Sequence, residues 1–165
     1  MTEEMSRAAG LLASQRLSLS PIFLEPDLRP DEEAEGYELQ HEVNRELKAS
    51  LGGPADHKIG CTTPVMQKFL GIPSPCAGEV FSSTVMQEKG RVQAAAYRKI
   101  GVECEMVAIL GADIAPSAIP FTAESVAAYV EAIAPGIEIV DDRYLDYRTL
   151  AYIPLSRTIS LTLVP

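Results

Sequence analysis

Gly101-Val102-Glu103-Cys104-Glu105-Met106-Val107-Ala108-Ile109-Leu110 is the stretch on which the reading of this chain turns. It is rich in β-branched and apolar residues and has no proline, so it is predicted to be a strand. Side chains alternate along a strand, so Glu103 and Glu105 share one face with Val107 and Ile109. Val102, Cys104, Met106, Ala108 and Leu110 take the other. Apolar residues on both faces predict a largely buried strand, with Cys104 as core filler. Ionised carboxylates there need a cation, a proton or strong hydrogen bonds. Glu138, in Pro135-Gly136-Ile137-Glu138-Ile139-Val140, repeats the pattern.

Acidic residues at i and i+2 also describe the wet face of a half-exposed strand. That reading predicts polar residues at 107 and 109, where valine and isoleucine stand. Three carboxylates without soft ligands suit a hard six-coordinate cation, Mg²⁺ or Mn²⁺. From the residues alone, the wet face and the metal site remain level.

The 165 residues, 47% of them hydrophobic, suffice for one domain with a real core. A formal net charge of -9 disfavours nucleic acid and anionic membrane as partners. Met1-Thr2-Glu3-Glu4 is acidic where a secretory signal would be basic, and Leu11-Leu12-Ala13-Ser14-Gln15-Arg16 is too short and polar for a membrane core; a cytoplasmic location is expected. Cys61, Cys76 and Cys104 lack zinc-site spacing and read as reduced thiols.

Helical patterns cover residues 3–17 and about 31–48, the second with Gly36, Leu39, Val43 and Leu47 as its packed stripe and Gly52-Gly53-Pro54 as its stop. His57-Lys58-Ile59-Gly60 reads as a short strand. A helix follows, with Thr63 as N-cap, Pro64 at its first position and Gly71 past its end. Residues 71–78 read as loop; 80–82, 91–98 and 102–110 read as strands; 122–134 reads as a helix capped by Thr122, stapled by Phe121 and Val126 and stopped by Pro135. Helices first and strands after predict an α+β fold.

Several motifs together resemble the 2-keto-4-pentenoate hydratase branch of the fumarylacetoacetate hydrolase superfamily. They are His57-Lys58-Ile59-Gly60-Cys61-Thr62-Thr63-Pro64; Gln67 with Leu70-Gly71-Ile72; Pro75-Cys76-Ala77-Gly78-Glu79-Val80-Phe81; Val102-Glu103-Cys104-Glu105; Gly111-Ala112-Asp113-Ile114; and Pro135-Gly136-Ile137-Glu138-Ile139-Val140-Asp141. The resemblance implies N-terminal helices followed by a mixed β-roll, and Mg²⁺ or Mn²⁺ held by Glu103, Glu105 and Glu138. It also implies Lys58 as the catalytic residue, with Lys58, Thr62 and Thr63 binding the substrate, a small 2-oxo or 2-hydroxy dienoic acid. The implied reaction is metal-dependent hydration of 2-hydroxypenta-2,4-dienoate (2-oxopent-4-enoate) to 4-hydroxy-2-oxopentanoate in aromatic catabolism. A 2-oxo-acid decarboxylase of the 4-oxalocrotonate type shares the same motifs. A homo-oligomer, or association with a related decarboxylase or hydratase subunit, is implied as well.

Two departures stand out. Many relatives carry an acidic residue where this chain has Cys76. The resemblance also ends near Thr149, so residues 1–149 read as the N-terminal part of a hydratase domain and residues 150–165 as a tail foreign to it. The β-roll is accordingly expected to be incomplete at its C-terminus, with residues 151–165 either poorly ordered or appended, through the alternating Thr158–Leu163, as one edge strand that does not complete the pocket. A truncated, non-catalytic fragment is the alternative reading from outside the enzyme class. His41-Glu42 with His57 suggests a water-activating pair, and Tyr144 and Tyr147 suggest packing near the site, but ordinary surface, cap and loop roles are favoured for all of these.

Overall fold

The structure, a computed structural model, describes residues 2–117 and 119–145, together with the backbone of 158–163. It mixes helices and strands in the expected order. Helix α1 (Glu3–Leu17) opens on Thr2, whose hydroxyl accepts a hydrogen bond from the Met5 amide at 3.1 Å. Helix α2 (Glu33–Leu51) buries Gly36, Leu39, Val43 and Leu47, the predicted stripe, and adds Asn44. It ends where Gly52 takes φ +79, a conformation that favours glycine. A Cβ at that position would stand 2.2 Å from Ser82 Oγ. The core joins the two helices through Ala8, Ala9, Leu12, Leu39, Val43 and Leu47, with Leu24, Leu28 and Phe81 packed alongside.

Two sheets follow. Strand β1 (Pro54–Gly60) pairs antiparallel with β2 (Cys76–Phe81), setting Lys58 opposite Gly78. Helix α3 (Pro64–Leu70) lies between them in sequence, and Gly71 closes it in the left-handed conformation at φ +70. The second sheet contains β3 (Val85–Gln87), β4 (Ile100–Leu110), β5 (Val130–Asp141) and β6 (Thr158–Leu163), in the order β3-β6-β5-β4. β3 and β6 run parallel, and the other neighbours antiparallel. Between β4 and β5 lies the short helix α4 (Ala123–Ala127).

Several expectations are corrected. β4 is not buried: it forms the sheet edge, and Val102 and Met106 are 65% and 85% exposed. Cys104 is exposed for the same reason, because among the described residues no layer covers that face. Residues 91–98 form no strand; Ala94–Ala96, of low β propensity, make a 3-10 turn. Strand β2 starts at Cys76, inside the predicted loop. The helix capped by Thr122 is far shorter than predicted, and residues 130–134, although alanine-rich, continue β5 because the eleven residues of β4 offer a partner along their whole length. Pro135 therefore sits inside a strand. It lies just beyond the stretch that β6 pairs, Gly136–Val140, so only one neighbouring strand claims hydrogen bonds there. Phe121 packs edge-on against Tyr129, with ring centroids 6.2 Å apart. β6 lies between β3 and β5 rather than at an edge. Tyr147 falls outside the described residues. No helix among them is long and apolar enough to cross a membrane.

Candidate metal centre

The β4–β5 register assembles the acidic cluster. Glu103 lies directly opposite Glu138, so the two share a face, and Glu105, two residues along, joins them. Opposite Glu105 is Gly136, which is buried and has no side chain to compete for that space. Oxygens of all three carboxylates lie within 4.8 Å of one another. Glu138 is 4% exposed, Glu105 is half-buried, and Glu103 faces solvent.

Lys58 reaches this cluster from the other sheet. Its ammonium donates to Glu138 Oε1, a contact in which both side chains are largely buried. Gly78, its partner across the β1–β2 ladder, leaves room for the lysine stem: a Cβ there would lie 3.6 Å from Lys58 Cγ. One ammonium against three carboxylates leaves two net negative charges, the charge that a divalent cation neutralises.

The remaining charge shows in Glu105. Burial, then Glu138, then Glu103 push its carboxyl above the usual carboxylate range, and Lys58 pulls the other way. Two like unit charges about 4 Å apart repel by roughly 4 kcal/mol at an effective dielectric of about 20, less where solvent screens them as it does Glu103. A hydrogen bond returns only about 1 kcal/mol. The cluster therefore favours a bound cation or a proton, and its oxygen-only donors suit a hard divalent ion.

The other predicted substrate residues are placed differently. Thr62 and Thr63 lie exposed at the start of α3, and the Thr63 hydroxyl accepts a hydrogen bond from the Met66 amide at 3.4 Å as the helix cap. His41 on α2 and His57 on β1 line one cleft of about 250 Å³ together with Tyr37, Gln40, Asn44 and Glu79. Tyr144 packs against the helical core.

Sequence reasoning missed the polar seam behind Lys58. The Tyr37 hydroxyl accepts from the Ala77 amide at 3.1 Å, the Gln40 side chain donates to the Ala77 carbonyl at 3.1 Å, and the Asn44 side chain donates to Glu79 at 2.9 Å. These residues stand at i, i+3 and i+7 on α2, a polar stripe beside its apolar one, and that spacing was the available signal. The seam fixes β2, and β2 fixes the strand that carries Lys58. A second anchor was also missed. Asp141, at the end of β5, accepts from the Arg98 and Lys99 amides at 2.9 and 2.7 Å and pairs with Arg143 at 3.1 Å, and Arg143 donates to the carbonyls of Gln15 and Arg16 on α1.

No family model matches the chain. Individual proteins do. It is 30% identical over 147 residues to a 2-keto-4-pentenoate hydratase of Paraburkholderia phymatum, covering 88% of this chain and 54% of the relative. It is 33% identical over 91 residues to a 4-oxalocrotonate decarboxylase of a Pseudomonas species, covering 55% of this chain and 34% of that one. Among solved structures, 4-oxalocrotonate decarboxylase from Pseudomonas putida G7, complexed with calcium and acetate, superposes with a TM-score of 0.83 at 19% identity, covering 99% of this chain and 62% of the other. The same enzyme complexed with magnesium and adipate also gives 0.83, at 18% identity, with 99% of this chain and 63% of that one covered. These identities show the fold. The chain spans about half the length of the curated relatives it matches.

Proposed function

The chain is a homologue of the 2-keto-4-pentenoate hydratases, and from that premise we propose that it serves metal-dependent hydration of 2-hydroxypenta-2,4-dienoate (2-oxopent-4-enoate) to 4-hydroxy-2-oxopentanoate. Glu103, Glu105 and Glu138 hold Mg²⁺ or Mn²⁺ in this reading. The observation that carries it is the convergence of these three carboxylates with Lys58 on one site. When bound, the divalent ion supplies Lewis acidity toward the carboxylate and 2-oxo oxygens of the substrate.

The protein's own groups do the rest. Glu138 holds the Lys58 ammonium at the site, where it can pair with the substrate carboxylate and hold or pass a proton at Nζ. The α2–β2 seam fixes that ammonium against β5. Cys76 does not stand in for the acidic residue of many relatives as a base: burial, with Cys61 next in effect, pushes its thiol up to about 11, so it keeps its proton at neutral pH. In this reading Lys58 takes part in proton transfer, the role the family resemblance implies for it. Thr62 and Thr63, at the mouth of α3, are the hydroxyls assigned to the substrate. The reading places the protein in the cytoplasm, in aromatic catabolism.

A second reading rests on the decarboxylase among the relatives: the same constellation would polarise a 2-oxo acid for loss of CO₂. Incubating the full chain and Mg²⁺ with each dienoate separates the two. Loss of the dienoate absorbance with incorporation of water supports hydration. Release of CO₂ supports decarboxylation. Neither product from a chain that binds the metal would favour a non-catalytic fragment and overturn the proposal.

A further inference from the structure

The β1–β2 ladder closes with Gly60 opposite Cys76. Strand alternation would send the next side chain, Cys61, to the opposite face. Cys61 instead adopts φ +56, which a non-glycine residue seldom does, and after burial it is the strongest influence on the Cys76 thiol. Gln67 holds this turn by donating to the Cys61 carbonyl at 2.9 Å. Gly60 provides the seat: a Cβ there would lie 3.4 Å from Cys76 Sγ. Opposed residues in an antiparallel ladder have Cα atoms roughly 4.5 to 5.5 Å apart. Cys61 stands one residue beyond Gly60, the partner of Cys76, and a disulfide between the two asks for roughly 4.4 to 6.8 Å between their Cα atoms. Both thiols are only half-buried, open to a small oxidant.

We propose that Cys61 and Cys76 form a redox modification site, a dithiol that hydrogen peroxide converts to an intramolecular disulfide. The Cys61 sulfur, as thiolate, attacks peroxide; an S–O bond forms, the O–O bond breaks, and hydroxide leaves with the thiol proton as water. The Cys76 sulfur then attacks Cys61; the S–S bond forms, the S–O bond breaks, and the second water carries off the Cys76 proton. Two thiols are oxidised by two electrons and one peroxide is reduced to two waters. Attack by Cys76 in the second step goes with loss of its proton, because the thiolate is the nucleophile. The crosslink would pin the start of α3 to β2, closing the segment that follows Lys58.

The test treats the full-length chain with dilute peroxide, alkylates the remaining thiols, and maps peptides without reduction. The expected product joins the Cys61 and Cys76 peptides with the loss of two hydrogen masses, and a reductant restores both thiols. In Cys76→Ser the Cys61 sulfenic acid should persist and be trapped by a sulfenate-specific probe; should that variant not fold, the wild-type map decides alone. Recovery of Cys61 and Cys76 as separate alkylated thiols after Cys104 has reacted would overturn the site. So would equal Cys61 sulfenate trapping in the wild type and Cys76→Ser.

Discussion

Glu105 is held above the ordinary carboxylate range by burial first, then by Glu138 and Glu103. A carboxyl raised in the folded state binds a proton more tightly there than when unfolded, so its contribution to stability is present below the unfolded pKa and lost as pH rises through the folded one. With chelator present, stability should therefore fall as pH rises through the window just above the ordinary glutamate pKa. Glu105→Gln should flatten that fall, and saturating Mg²⁺ should remove it, since the ion takes the proton's place. Urea titrations at a series of pH values read all three. Lys58 yields a second prediction. Its ammonium competes with a cation for Glu138, so Lys58→Ala should leave metal affinity unchanged or tighter while turnover falls by about 10²–10⁴, the range for a lost acid–base group. Parallel losses in turnover and metal affinity, measured by kinetics and calorimetry, would make Lys58 a structural residue.

At the scale of elements, the anchors differ sharply in cost. Leu47→Ala, in the joint between α1 and α2, should cost about 2–5 kcal/mol by urea unfolding. Met106→Lys, on the open face of β4, should stay within about 0.5 kcal/mol. Arg143→Ala should cost about 3–5 kcal/mol because it strands the buried Asp141 carboxylate without its cation. Such contrasts also mark what the sequence could tell. α3 and the end of α2 were legible because caps and stops are local chemistry: Thr63, Gly52 and Gly71 act within one turn of themselves. Residues 130–134 were not, since whether Glu131-Ala132-Ile133-Ala134 is helix or strand is decided by β4, which lies outside that stretch. Nor was the exposure of β4. Apolar residues on both faces do say strand, but which strand lies at the edge is a matter of topology. Of the site, the common face of Glu103 and Glu105 followed from alternation, whereas their meeting with Glu138 depended on a register that no local pattern prints. Arg143 and the α2 seam were hidden because their partners are distant in sequence.

Across the whole molecule, a helical pair carries the buried core, and the chemistry is gathered where the β1–β2 sheet meets the β4–β5 ladder. The apolar face of β4 stays open among the described residues, while the opposite face carries the glutamates. The two faces of one strand thus answer to different demands. The central claim is that the glutamate face is a cation site, and it is tested most directly by Mn²⁺ titration of the full chain at neutral pH, read by the loss of the free-ion electron paramagnetic resonance signal. One ion should bind per chain, Mg²⁺ should displace it, and Glu138→Gln or Glu103→Gln should weaken binding at least about tenfold, as loss of a ligand does. Binding of the same strength in both variants, or no saturable binding in the wild type, would contradict the account.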